Sequence, residues 1–290
     1  MTTTPRYTDY DTWAWLYNET MGPDYGKAQL ALLRRVLLPQ IPQGAAILDL
    51  CCGTGQLMRP LLEAGYSVTG LDGSEAMLTY ARQNAPGGDF LLEDARKFHL
   101  PQRFSGAFST SASLNHIMTL ADLTQVFRNV HQALQPGGLF VFDLNHPQQM
   151  QKWWRGRLVE GEVGPRYAWR LTPEYDPEAA EGAFHVEIFQ AQAPDSSIER
   201  LARPLKQLLS RILSLRRLTG LRLRLLSRFE QLEPRWQRSH LTYRVKGHGL
   251  SEVQAALETV GFTDIALQTI DGQPTIDANH SAHFICRKPN

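Results

Sequence analysis

Short apolar runs alternate with amphipathic stretches of about a dozen residues through the first half of the chain, the rhythm of strand and helix in turn. Ala46–Leu50 is an apolar run that enters a glycine loop, Cys52-Gly53-Thr54-Gly55, and the helical stretch that follows reaches Ala64 and stops at Gly65. Ser67–Leu71 predicts a second strand, and Ser74–Gln83 a helix with Ser74 as its N-cap. Asp89–Leu92 and Gly106–Thr110 predict two further strands. Asp122–Leu134 predicts a helix ended by Pro136-Gly137-Gly138, and Leu139–Leu144 a fifth strand. Strands joined by helices of this length imply βαβ units and a parallel sheet.

The rhythm is different on either side. Residues 1–43 read as a helical segment rich in aromatics, among them Tyr7, Tyr10, Trp13, Trp15, Tyr17 and Tyr25, with helix period over Gly26–Leu38 and stops at Pro39 and Pro42. Beyond residue 145, Arg166–Leu171 and Phe184–Gln190 predict a hairpin with a long acidic connection, Arg200–Leu232 a leucine- and arginine-rich helical stretch, and Ser239–Lys246 another strand. The earlier rhythm then resumes with a helix over Ser251–Val260, ended by Gly261, and strands over Thr263–Thr269 and His283–Arg287. This predicts one Rossmann-like α/β domain, residues 44–145 with 251–290, behind an N-terminal helical segment 1–43 and interrupted by an inserted cap at 146–250.

Composition narrows the function. With 42% hydrophobic and 20% charged residues in 290, the chain can bury a sizeable core. Lys plus Arg number 30 against 29 Asp plus Glu, a net charge of +1, which gives no strong signal for nucleic acid. The three cysteines, Cys51, Cys52 and Cys286, suit neither a disulfide framework nor the paired spacing of a zinc site, so no metal is expected. The first residues lack a basic start followed by an apolar run, and no apolar stretch is long enough to span a bilayer. The expectation is a soluble, reduced, cytoplasmic protein.

The sharpest chemical signal is the loop after the first strand. Glycines there let the backbone approach a ligand closely. Asp72, at the end of the second strand, can accept both hydroxyls of a ribose, and Asp94 follows the third strand, where it could reach the edge of an adenine. A dinucleotide fingerprint would need a third glycine where Met58 stands, and a phosphate loop would need a lysine, whereas Val36 to Met58 contains no Lys or Arg. Three carboxylates without a base would repel a pyrophosphate. They suit an adenosine that carries positive charge, such as a sulfonium with an ammonium.

Four motifs occur in order: Leu48-Asp49-Leu50-Cys51-Cys52-Gly53-Thr54-Gly55, Gly70-Leu71-Asp72-Gly73-Ser74-Glu75-Ala76-Met77-Leu78, Glu93-Asp94-Ala95, and Leu134-Gln135-Pro136-Gly137-Gly138-Leu139-Phe140-Val141-Phe142-Asp143. Together they resemble the class I S-adenosylmethionine-dependent methyltransferases, densely over 44–145 and loosely over 236–287. The resemblance implies a seven-stranded sheet whose last strand is antiparallel, with S-adenosylmethionine as cofactor. It implies that Asp49, Cys51, Gly53 and Gly55 hold the methionine part, that Asp72 and Gly73 meet the ribose, and that Met77 packs on the adenine. Asp94 and Ala95 would reach the adenine amine edge. Cys51 and Cys52 read as small packing residues rather than nucleophiles.

The methyl acceptor should face the ends of the fourth and fifth strands. Strand four leads into Ser111-Ala112-Ser113-Leu114-Asn115-His116. The Asn-Pro-Pro-Tyr and Pro-Cys signatures of nucleobase methylation are absent. Leu114-Asn115-His116 and the later Phe142-Asp143-Leu144-Asn145 resemble a bacterial subgroup of small-molecule methyltransferases, although Ala112 stands near where members often carry an acid. Tyr17 and Asp24-Tyr25 resemble the aromatic entry of that subgroup, with Asn18 in place of the usual acid, and those aromatics could close over the cofactor, for which Ser111 is a further candidate contact. His116 is the candidate base, should the acceptor need to lose a proton, and Asn115 a candidate for orienting acceptor or cofactor. The resulting expectation is methyl transfer to N or O of a small molecule; the alternatives are methylation of RNA or another macromolecule, and a non-catalytic cofactor-binding protein.

Between Glu199 and Arg238 stand ten Arg and one Lys against three Glu. Leu201, Leu205, Leu208, Leu209, Ile212, Leu215 and Leu218 follow helix spacing with basic residues between them. Three readings stay open for this stretch: a lid or dimer helix, an anionic membrane surface, and an acidic substrate or nucleic acid. In the resembling family such insertions cap the acceptor pocket, which makes Trp153, Trp154, Tyr167, Trp169, Trp236 and Tyr243 candidate walls, each also a candidate core residue.

Overall fold

The computed structural model describes residues 8–100, 104–191 and 207–290. Its chain forms two compact units, the first running to Gln149 and resuming at Lys246, the second Met150–Val245.

The first unit is built on a seven-stranded sheet in the order β10-β11-β5-β4-β1-β2-β3. Its strands are β1 (Ala46–Leu50), β2 (Ser67–Asp72), β3 (Asp89–Leu92), β4 (Phe104–Ser109), β5 (Leu134–Leu144), β10 (Thr263–Gln268) and β11 (Ala282–Arg287). β11 runs antiparallel to both neighbours, and the β1, β2, β3, β4 and β5 pairings are parallel. The helices are α1 (Ala14–Glu19), α2 (Met21–Val36), α3 (Met58–Glu63), α4 (Glu75–Asn84), α5 (Leu120–Ala133) and α10 (Leu250–Val260), with α6 (Pro147–Trp153) at the unit's boundary.

A parallel sheet is covered on both faces, so its central strands are apolar at successive positions rather than alternate ones. β5 shows this directly. Phe140, Phe142 and Leu144 join Phe127, Val130 and Leu257 in one core, while Leu139 and Val141 join Leu32, Leu33, Val36 and Leu61 in the other. Phe142 stacks on Phe284 across the antiparallel pair, with centroids 4.9 Å apart. The helix ends follow local chemistry. Ser74 Oγ accepts the Met77 amide at 3.1 Å to cap α4, Thr119 Oγ1 accepts the Asp122 amide at 3.0 Å to cap α5, and Gly261 ends α10 at φ 105°.

Two boundaries differ from expectation. β5 begins at Leu134 rather than Leu139, because Phe104 pairs with Leu134 and Gly106 with Leu139, so Pro136-Gly137-Gly138 bulges from a strand already begun. In the second unit the hairpin connection is short. β7 (Tyr167–Asp176) and β8 (Glu181–Gln190) pair along their full length, and the acidic residues expected in a loop stand on strand surfaces. Asp176 Oδ1 accepts the Glu178 amide at 2.9 Å, which closes the turn.

The second unit is a four-stranded sheet, β6-β7-β8-β9, with β6 at Glu160–Val163 and β9 at Gln237–Lys246. Glu181 meets Arg244 and Glu187 meets Arg238, so β8 and β9 run in opposite directions. Helical residues 207–213 (α7), α8 (Thr219–Ser227) and α9 (Phe229–Leu232) follow β8. Leu226 and Phe229 pack on Ala168 and Phe189 in a small core. Leu201 and Leu205 of the expected basic helix lie outside the described residues. Among the described residues no helix is long and apolar enough to cross a membrane.

Candidate active site

Strand order reverses between β4 and β1, and a crevice at such a point, beyond the carboxyl ends of the strands, is where open α/β sheets hold ligands. The residues there carry unusual backbone. Cys51, Gly53 and Gly55 have φ of 61°, 54° and 71°, and Ser111 and Ala112, after β4, have 62° and 55°. Non-glycine residues rarely adopt this region, and such strain gathers at ligand sites.

The glycine loop is held from β2. Asp72 Oδ2 accepts the Gly53 amide at 2.8 Å and Oδ1 the Ser74 amide at 2.9 Å, so one carboxylate ties the loop to the start of α4. The Cys52 amide donates to the Leu71 carbonyl at 3.0 Å. Gly70 makes room for this: a Cβ there would stand 2.6 Å from Met58 Sδ and 2.9 Å from Cys52 Sγ. A Cβ at Gly55 would stand 3.0 Å from Ala81 Cβ. Met77 is buried on the first turn of α4, and Ala95 is buried in the core beyond β3.

The charge here is one-sided. Burial, then the neighbouring Asp72, pushes the Asp49 carboxyl well above the ordinary range. Burial also raises Asp72, against the amides of Ser74, Gly53 and Gly73, and Asp11 raises it further. Both thiols of the loop are pushed up, chiefly by burial and then by Asp49 and Asp72. A thiol held up in this way stays protonated at neutral pH.

Asp94 departs from the expectation of three carboxylates without a base. Arg96 grips it, with Nε 2.9 Å from Oδ1 and Nη2 2.6 Å from Oδ2. Burial alone would raise Asp94, but the guanidinium and the Arg96 amide together hold it below its usual value. The cause is local: the turn brings the side chain two residues on back over the carboxylate. The base-free pair is therefore Asp49 and Asp72.

The N-terminal segment closes on the loop. Tyr17 Cε1 lies 3.8 Å from where a Gly53 Cβ would stand. His116, Tyr10, Trp13 and Tyr17 form a chain of rings with centroids 5.4, 5.8 and 5.7 Å apart. Tyr10 Oη and His116 Nε2 are 2.6 Å apart. Asp11 accepts from Ser74 Oγ, and Asn18 Oδ1 accepts from Asn84 Nδ2 at 2.6 Å, while that nitrogen also reaches the Thr54 carbonyl at 2.7 Å. α2 meets the loop through Gly22 and Gly26, whose Cβ atoms would stand 3.3 Å from Thr54 Oγ1 and 3.0 Å from Gln56 Cβ. Tyr25, 36% exposed on that helix, turns its hydroxyl to Met21.

On the acceptor side, Asn115 is buried and fully engaged. Its Nδ2 donates to the carbonyls of Asn145 and Lys246 at 2.8 and 2.7 Å, and its Oδ1 accepts the Asn145 amide at 2.9 Å. The side chain clamps the ends of β4 and β5 together. Asp143 Oδ2 accepts the Ala112 amide at 3.0 Å, while Oδ1 is buried without a hydrogen bond among the described residues. Burial raises this carboxyl to about 7. His146 Nε2 reaches the backbone carbonyls of Asp277 and His280, and His248 Nε2 that of Ile117, so both are structural ties.

Sequence reasoning gave no role to Tyr10, Asp11, Asn84, Arg96 or Asp143. Asp143 stood inside a quoted motif, and Arg96 two residues from an assigned carboxylate. Nothing local in the sequence pairs Tyr10 with His116 or Asp11 with Ser74, because those contacts arise only when the N-terminal segment docks.

The site can be tested for a cationic adenosyl ligand. The carboxylates Asp49 and Asp72 are raised by burial and by other carboxylates, which marks a hollow that lacks a counter-charge. The space above Gly53 lies between backbone and the Tyr17 ring. Both suit a sulfonium and an ammonium on an adenosine, and neither suits a pyrophosphate.

Comparison with known proteins agrees. Residues 47–138 match the methyltransferase domain family. A putative methyltransferase, YqeM of Bacillus subtilis (strain 168), is 37% identical over 112 residues, 36% of this chain and 44% of that protein. A dTDP-3-amino-3,4,6-trideoxy-alpha-D-glucopyranose N,N-dimethyltransferase of Streptomyces venezuelae is 29% identical over 133 residues, 46% of this chain and 52% of that protein. The chain thus spans about half the length of these curated relatives. The sugar N-methyltransferase KedS8 from Streptoalloteichus sp. ATCC 53650 shares the fold at a TM-score of 0.69 and 17% identity, over 95% of this chain and 92% of that one. The fold is an α/β domain on a mostly parallel seven-stranded sheet, shared with solved methyltransferase structures. Over residues 47–138 the chain thus carries a methyltransferase domain, and it is similar to methyltransferases over about half of its length.

Proposed function

We propose that the protein transfers a methyl group from S-adenosylmethionine to nitrogen or oxygen of a small-molecule acceptor. The observation that carries this reading is the base-free pair Asp49 and Asp72 beneath a glycine loop that Tyr17 covers. S-adenosylmethionine supplies a methyl group made electrophilic by its sulfonium. The protein's share is alignment and exclusion of water. Asp72 takes the ribose hydroxyls while its carboxylate keeps the loop in place. Asp49 and the loop backbone take the methionine end, with Cys51, Gly53 and Gly55 giving the loop its left-handed turns. Met77 and Ala95 offer apolar contact to the adenine, and Asp94 reaches the amine edge once Arg96 yields one carboxylate oxygen.

A base is needed only where the acceptor must lose a proton. Tyr10 and His116 form a short relay: the acceptor proton passes to Tyr10 Oη as the phenol proton passes to His116 Nε2, and the charge then rests on the imidazole. Ser111, on the left-handed turn, and Asn115, through the clamp, position that edge of the site. Amino-sugar nucleotides are the first acceptors to test, because several relatives are named as N,N-dimethyltransferases of such sugars. Nucleic acid is disfavoured as acceptor: Phe229 and Trp236, the aromatics nearest the basic stretch, pack against each other and Phe189 rather than forming an open platform. The cytoplasm is the compartment proposed, in keeping with three free thiols.

Calorimetry with S-adenosylmethionine, S-adenosylhomocysteine and NAD tests the site, and transfer of labelled methyl to an acceptor panel tests the activity. Binding of NAD in place of the adenosyl ligands would sink the reading, and binding without transfer to any acceptor would leave a cofactor-binding protein only.

A further inference from the structure

The described part of the basic stretch combines two features that rarely share a surface. Leu208, Leu209, Ile212, Leu215, Leu221 and Leu232 are exposed by 41 to 56%, and they are six of the ten large hydrophobic side chains that stand exposed among the described residues. The same span, residues 207–236, holds seven arginines against two glutamates. Arg211, Arg216, Arg217, Arg224 and Arg228 meet no carboxylate among the described residues, whereas Arg170, Arg238 and Arg244 on the adjacent strands are all ion-paired.

The local sequence explains the layout. Leu208, Leu209 and Ile212 fall on one side of α7 at helix spacing, with Leu215 just past its end, and Arg211, Arg216 and Arg217 flank them. The small core of this unit buries Leu226 and Phe229 from α8 and α9 with Leu223 packed against it, and Leu208, Leu209, Ile212, Leu215, Leu221 and Leu232 stand outside it, exposed. An exposed apolar stripe bordered by unpaired guanidiniums needs an occupant that is apolar at depth and anionic at its surface. A second copy of the chain fits poorly, since a two-fold contact would set like-charged arginines against each other. A nucleic acid would meet the arginines but leave the leucines in water.

We propose that residues 207–232 dock the protein onto an anionic lipid surface, with Leu208, Leu209, Ile212 and Leu215 entering the boundary between headgroups and acyl chains while Arg211, Arg216 and Arg217 meet lipid phosphates. This stands independently of the acceptor and asks nothing of the methyl-transfer site. Its consequence for function is location: the protein works at a bilayer surface.

The test is co-sedimentation of the full chain with vesicles of phosphatidylcholine alone and of equimolar phosphatidylcholine and phosphatidylglycerol. Two variants accompany it, Leu209→Gln with Ile212→Gln, and Arg211→Gln with Arg216→Gln and Arg217→Gln; all five positions are exposed, and circular dichroism with S-adenosylmethionine binding confirms folding. Binding is expected to anionic vesicles only and to weaken with salt. The triple arginine variant should bind roughly a hundredfold more weakly, about fivefold per guanidinium removed. The leucine variant should lose the salt-resistant part. No vesicle binding, or equal binding to both lipids, overturns the proposal. So does a sedimentation shift from dimer to monomer in the leucine variant, which would give the face to a second copy. Arginine-dependent retention of RNA without vesicle binding overturns it equally.

Discussion

Asp143 offers a measurement in which the structure dictates both sign and size. The carboxyl sits at the end of β5, 3% exposed, with one oxygen holding the Ala112 amide and the other without a partner among the described residues. Burial raises it from 3.8 to about 7. At about 1.36 kcal/mol per pH unit, ionising this group in the folded protein costs about 4 kcal/mol more than in the unfolded chain. A raised acid contributes stability that is complete below its unfolded value and lost as pH climbs through the folded one. The loss therefore runs from about pH 4 to about pH 7, and roughly 3 kcal/mol of it falls between about pH 5 and about pH 9.

Asp143→Asn keeps the acceptor for Ala112 and cannot ionise. Its new amide donors sit where the unpaired oxygen was, at a cost of about 1–3 kcal/mol at every pH. The two stability curves should then converge and cross. The variant is weaker than the wild type below about pH 4 and gains roughly 3 kcal/mol against it between about pH 5 and about pH 9. Urea denaturation of both proteins across that range reads the difference directly, and the other raised carboxyls, Asp49 and Asp72, cancel because both proteins carry them. So does His283, which burial and then Arg35 lower to about 4. A difference that stays constant from acid to alkaline pH would refute the reasoning, for it would mean that Asp143 is ionised in the fold at all pH values tested.

Other expectations follow from the same geometry. Asp49 and Asp72 are both raised, so binding a cation there favours their ionised forms and releases protons; S-adenosylmethionine affinity should rise with pH, and S-adenosylhomocysteine, without the sulfonium charge, should show a shallower slope in calorimetry. Asp72→Ala should lose adenosyl affinity and loosen the Gly53 loop while the sheet stays folded, which unchanged affinity in calorimetry would contradict. Gly55→Ala meets both a left-handed φ of 71° and the Ala81 Cβ at 3.0 Å, and should cost about 1–3 kcal/mol in thermal unfolding; pairing it with Ala81→Gly should restore only the steric part. Tyr10→Phe and His116→Ala should each lower kcat by about a hundredfold or more with an acceptor that must lose a proton and leave S-adenosylmethionine binding intact, and full turnover in both would dismiss the relay.

What could be read from sequence and what could not divide along a physical line. The sheet was legible because both of its faces are buried: β1, β2 and the second half of β5 are buried at nearly every position, and each ends at a glycine loop, an acid or a capping residue close in sequence. Asp49, Asp72 and the glycines could be placed for the same reason, since strand, loop and following helix fix their geometry within a few residues. The hairpin connection is shorter than its acidic residues suggest because Glu174 and Glu181 stand on the paired strands, where alternation rather than charge separates strand from loop. Asp94 counts in sequence among three carboxylates without a base, whereas Arg96, two residues on, folds back onto it. The Tyr10–His116 contact spans 106 positions and the Asp11–Ser74 contact 63, and no local period encodes either. These long-range contacts are also the ones that join the cofactor loop to the acceptor edge. Tyr10 and Asp11 thus make these contacts from a segment whose placement depends on the finished sheet, which is why a local reading of the sequence does not reach them.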